Sequence, residues 1–76
     1  MAHIKVMPVS DYVSSGTLNV TAPTIEAGIE QVYAFLLKMH HTPVQRFYAA
    51  TAKMHYWRYY EVNAEGKARR KADRKR

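Results

Sequence analysis

Pro43 limits the possible folds of this chain more than any other single residue. Its ring fixes φ and its nitrogen carries no proton, so it opens an element rather than continuing one. The residue before it is pushed away from helical geometry, so a helix arriving from the N-terminal side must end around His40–His41. Beyond that point, Thr42-Pro43-Val44-Gln45 has the form of a helix start. Thr42 suits the N-cap, Pro43 the first helical position, and Gln45 completes a capping box. Ala49, Ala50, Ala52 and Met54 favour helix by propensity, so a second helix is expected from Pro43 to about Tyr60.

The preceding helix is expected to begin near Thr24, a suitable N-cap, with Glu26 and Glu30 towards the positive end of the helix dipole. Ile25, Ile29, Val32, Leu36 and Met39 recur at helical spacing and form one stripe, which Tyr33 and Leu37 widen. Gly28 costs about 1 kcal/mol relative to alanine inside a helix, which loosens the first turn. Residues 1–23 show no helical period; His3–Met7 and Thr17–Val20 read as short extended pieces, too few for an independent sheet. The expectation is a mainly α chain: an extended arm over residues 1–23, a two-helix hairpin over 24–66 and a basic tail over 67–76. At 76 residues without a cysteine, burial is barely sufficient and no disulfide supplements it, so no independent globular core is expected.

Charge is distributed unevenly. Lys5, Lys38, Arg46, Lys53 and Arg58 balance Asp11, Glu26, Glu30, Glu61 and Glu65 over residues 1–66. The whole net charge of +6 therefore falls in residues 67–76, where Lys67, Arg69, Arg70, Lys71, Arg74, Lys75 and Arg76 meet only Asp73. Such a run repels itself when free and releases counterions when it meets a polyanion. It also fits a nuclear-localisation patch or an anionic lipid surface. RNA ranks first because aromatic residues lie directly upstream.

Those residues are Phe47, Tyr48, Tyr56, Trp57, Tyr59 and Tyr60, and on a helix they cannot share one face. A helix apolar on all sides needs covering by neighbours. Four of the six are tyrosines, which favour a mixed polar interface or stacking against bases. Arg46, Lys53 and Arg58 are interleaved with these rings and can lay their stems on apolar surface with the charge outward. The candidate RNA contacts are thus Arg46, Lys53, Arg58, Tyr59, Tyr60 and the seven bases of the tail.

Other functional classes find little support. His3, His40, His41 and His55 lack the spacing of a metal site, and no Ser/His/Asp set, phosphate loop or paired carboxylate suggests catalysis. No metal, cofactor or small-molecule substrate is expected. The longest apolar run, Val32–Leu37, is six residues, against roughly 20 needed to span a bilayer. The N-terminus has neither secretory-signal nor transit-peptide character.

At Arg58-Tyr59-Tyr60-Glu61 followed by a basic end, the chain resembles the bacterial-type small-subunit ribosomal protein twenty-one family, including its mitochondrial forms. Ile25-Glu26 or Ile29-Glu30 would match that family's helix opening, and Lys67–Arg76 its Lys/Arg-rich end. Val62-Asn63 stands where the family shows Lys-Pro. The resemblance covers roughly residues 25–76 and implies two helices and a structural role on ribosomal RNA beside other ribosomal proteins. It implies a mitochondrial ribosome, or otherwise the cytoplasmic ribosome of a bacterium, with Arg58, Tyr59, Tyr60 and the tail as contacts. The alternative is an accessory subunit of a respiratory or ATP-synthase complex, with the aromatics against protein. A helix-turn-helix DNA binder ranks last, because residues 43–60 are poor in the side chains that read bases.

Overall fold

The computed structural model describes residues 1–9, 16–41 and 43–71. Along the chain come strands β1 (Ala2–Pro8) and β2 (Leu18–Ala22), helix α1 (Ile25–His40), and strands β3 (Arg46–Thr51), β4 (Arg58–Val62) and β5 (Ala68–Arg70). The strands form one antiparallel sheet in the order β2-β1-β3-β4-β5, and α1 covers one of its faces. The expected mainly α, two-helix hairpin is therefore overturned.

The first helix lies where its caps place it. The Thr24 hydroxyl accepts from the Ala27 amide at 3.0 Å, and His41 adopts a left-handed conformation (φ 58°) with its N–H on the Leu37 carbonyl. Ile29, Val32 and Leu36 are buried, as the apolar stripe requires, while Leu37 and Met39 are exposed. Gly28 serves close packing: a Cβ there would stand 3.0 Å from both Ile4 Cδ1 and Val20 Cγ2. Its absence lets α1 settle onto β1 and β2, which offsets the propensity cost.

The second helix is replaced by the β3–β4 hairpin. Aromatic residues suit a pleated surface, and a strand sends successive side chains to opposite faces. Phe47 and Ala49 point inward from β3 and Tyr60 and Val62 from β4, all buried, with Phe47 opposite Tyr60. Tyr48 and Tyr59 fall on the other side. Alternation thus resolves the crowding of rings that no helix could accommodate. Pro43 and Gln45 lead into β3 instead of opening a helix, and the Gln45 carbonyl accepts from the Val62 amide. Thr42, the expected cap, lies outside the described residues.

The expected arm is part of the sheet as well. His3–Met7 falls within β1, which is central to the sheet because β2 pairs on one side and β3 on the other. Ile4, Val6 and Ala22 join Ile29, Val32, Leu36, Val44, Phe47, Ala49, Tyr60 and Val62 in one core cluster. The expectation of no independent core is corrected accordingly: the strands supply to α1 the covering surface that a lone helix pair lacked.

The basic segment also begins inside the fold. Asn63 and Gly66 make a tight turn, with the Asn63 side chain accepting from the amides of Glu65 and Lys67 and Gly66 at φ 82°. Ala68–Arg70 then pairs with β4, and the Glu30 carboxylate accepts the Ala68 amide at 2.9 Å. This bond fastens the edge strand to the helix. Glu30→Ala should cost about 1–2 kcal/mol and speed amide exchange in residues 68–70; an unchanged exchange rate would show that β5 is held by β4 alone.

Candidate nucleic-acid interface

The face of the sheet opposite α1 carries a group of polar and aromatic side chains. Cross-strand partners share a face, so the register defines its rows. One row runs Arg69–Glu61–Arg46 across β5, β4 and β3. The next brings together Tyr59, Tyr48 and Met7, with Lys71 following β5 alongside Tyr59, whose carbonyl accepts the Lys71 amide. A third contains Ala50, Lys5 and Asn19, and a fourth pairs His3 with Thr21.

Two half-buried tyrosines occupy the middle of this face. The rings of Tyr48 and Tyr59 stand with centroids 5.3 Å apart and planes inclined by 51°, a tilted arrangement favoured by the ring quadrupoles. The Tyr59 hydroxyl donates to Glu61 Oε2 at 3.0 Å. Partial burial, and secondarily that bond, raise the Tyr59 pKa above the ordinary 10.0, so the hydroxyl keeps its proton at neutral pH. Lys71 Nζ lies 3.8 Å from Glu61 Oε1 with both side chains about half exposed, a pair worth little energetically but one that draws the lysine towards the tyrosines.

The β3–β4 connection folds over one end of this face. Met54, His55, Tyr56 and Trp57 line a shallow hollow with Lys5 and Ala50, and Ala50 is almost wholly covered although it belongs to the open face. Tyr56 and Trp57 remain exposed at the rim. Aromatic surface therefore continues from Tyr59 and Tyr48 towards Trp57, with Lys5 beside it.

The residues singled out in the sequence are distributed over several surfaces. Arg46, Tyr59, Arg69 and Lys71 meet on the open face. Lys53 is exposed on the β3–β4 turn and Lys67 on the β4–β5 turn, both at the margins. Arg70 lies on the helix side, opposite Tyr60. Tyr60 itself has no exposed surface and is a core residue, so it cannot touch a base. Arg58 shares that side, near the hydroxyls of Tyr60 and Tyr56, which favour its charged form. Its Nε and the Tyr60 hydroxyl are buried, and neither has a hydrogen-bond partner among the described residues. Arg74, Lys75 and Arg76 lie outside the described residues.

Lys5, Tyr48, Trp57 and Glu61 complete the face; Tyr48 and Trp57 stood among the six crowded aromatics, but none of the four was among the candidate RNA contacts. The alternation in Arg46-Phe47-Tyr48-Ala49 and Tyr59-Tyr60-Glu61-Val62 is the signal that would have found Tyr48 and Glu61. Lys5 carries no local signal, because it joins the site only through pairing of β1 with β3.

Among the described residues, no three His, Asp or Glu side chains gather to hold a metal ion, and no helix is long and apolar enough to cross a membrane. No protein family, curated protein or solved structure is found to match the chain.

Proposed function

We propose that this protein is a structural RNA-binding module that holds unpaired nucleotides on the open face of its sheet. The observation that carries the reading is the Tyr48–Tyr59 pair in the middle of a face bordered by Lys5, Arg46, Arg69 and Lys71. Bases that are not paired in a duplex can stack on aromatic rings, while surrounding cations neutralise the backbone. The separation of surfaces supports the same reading: α1 covers the other face, so the aromatic and basic side chains are available without unfolding the core.

A ribosome, mitochondrial or bacterial, is the assembly to which the Arg58–Glu61 resemblance points. The sheet departs from the two helices which that resemblance implies, so the proposal rests on the open face and the resemblance names only a place to look. The protein-complex reading set the aromatics of residues 43–60 against protein; the structure offers a different apolar surface for such a contact, the exposed Phe35, Leu37 and Met39 of α1. In a ribonucleoprotein these side chains would meet a protein neighbour, which makes the two surfaces compatible.

The test is a titration of a uridine-rich single-stranded oligonucleotide across a salt series, read by quenching of the single tryptophan, Trp57. Four bases on the face at about 0.7 per neutralised phosphate give a log–log salt slope of about 3 in magnitude. Arg46→Ala with Arg69→Ala should reduce it by roughly 1.4. Deletion of residues 72–76 reports the tail separately. A cut at Gly66 would not, because it removes β5. Absent binding, or binding indifferent to salt and to both arginines, contradicts the proposal.

A further inference from the structure

A carboxylate in the middle of a phosphate-binding surface opposes the function of that surface. Glu61 lies between Arg46 and Arg69 in register, beside the tyrosine pair, and its side chain is 44% exposed. Neutralising two neighbouring arginines would account for its charge, but not for the way it is held. Tyr59 donates its hydroxyl to Oε2 at 3.0 Å, and Lys71 stands 3.8 Å from Oε1. Each contact uses one oxygen, and an ionised carboxylate has about four acceptor sites, so acceptor capacity remains on both oxygens. A base stacked on the Tyr59 ring would lie above that hydroxyl bond, with its edge within reach of this carboxylate.

We propose that Glu61 makes the site selective for guanine in single-stranded RNA. The inference rests on the open face binding RNA at all. A carboxylate only accepts hydrogen bonds, and guanine alone among the four bases offers two adjacent, parallel donors, N1–H and the N2 amino group. Cytosine and adenine set one amino donor beside a ring nitrogen acceptor, whose lone pair would face the second carboxylate oxygen. Uracil flanks its single N3–H with two carbonyl acceptors. The tyrosines contribute stacking, to which any base responds, and the carboxylate supplies the discrimination.

The experiment compares uridine decamers carrying two central guanines, adenines or cytosines with the unsubstituted decamer, again by Trp57 quenching. A well-formed bidentate pair discriminates by about five- to 150-fold, so the guanine oligonucleotide should bind about ten-fold or more tighter than the others. Glu61→Gln should remove that preference while strengthening binding to plain uridine, because one negative charge is lost and a donor replaces an acceptor. Glu61→Asp keeps the charge but withdraws the oxygens by one methylene. It should also lose the preference, without the gain on uridine. Melting temperatures within a few degrees of the parent confirm that both variants are folded. Equal affinity of the unsubstituted protein for all four oligonucleotides overturns the inference and leaves RNA binding standing, as does a guanine preference that survives both substitutions. If no oligonucleotide binds, the RNA reading fails and the guanine inference fails with it.

Discussion

Phe47→Ala should remove a large share of the isolated chain's stability and lower its unfolding midpoint sharply. Phe47 has no exposed surface, faces Tyr60 across β3 and β4, and belongs to the cluster that joins α1 to the sheet. Truncating a buried phenylalanine costs about 3–5 kcal/mol, through lost transfer energy and the cavity left behind. A chain of 76 residues has only about 4–11 kcal/mol in total at typical stability per residue. Thermal or urea denaturation followed by circular dichroism provides the check. On a helical hairpin that depends on partners for cover, the same substitution would change the free chain little. A midpoint unchanged by Phe47→Ala would therefore contradict the sheet's core.

The second large effect concerns binding. Tyr48→Leu with Tyr59→Leu keeps apolar bulk over the sheet and removes both π faces. Stacking is worth about 1–3 kcal/mol per base, so the double variant should bind single-stranded RNA about 30-fold more weakly or worse. The corresponding phenylalanine pair should bind close to the parent, because it retains the rings and loses only the hydroxyls, including the Tyr59 bond to Glu61. This contrast separates stacking from general damage. Equal losses in the leucine and phenylalanine pairs would show that the hydroxyls matter, not the rings, and would remove the main support for the open face.

The sequence showed α1 clearly because every signal there is local. Thr24, the Ile25–Leu36 stripe and the break before Pro43 lie within or next to one helix, and the Thr24 cap and the end at His40 fall where those residues suggest. The segment after Pro43 misleads for a physical reason. Thr-Pro-x-Gln and a group of alanines give a weak local preference for helix, whereas the β structure is stabilised by pairing with β1, some forty residues earlier. Tertiary pairing overrides propensity in such a case. The crowding of six aromatics was itself evidence, since they cannot share one helix face: two strands take Phe47, Tyr48, Tyr59 and Tyr60, and the connection between them takes Tyr56 and Trp57. The candidate site was partly legible for the same reason. Arg46, Tyr59, Arg69 and Lys71 stood out as residue types, but which of them share a face depends on register. Tyr59 and Tyr60 are adjacent in sequence and fall on opposite sides of the sheet.

Whether nucleotides lie on the open face can be read residue by residue from backbone amide resonances during titration with a single-stranded RNA. The largest shifts should fall at Lys5, Arg46, Tyr48, Tyr59, Glu61 and Arg69, with Ile29, Val32 and Leu36 on the helix side nearly still. Shifts confined to residues 72–76, or centred on the exposed Phe35 and Met39 of α1, would contradict binding on the open face.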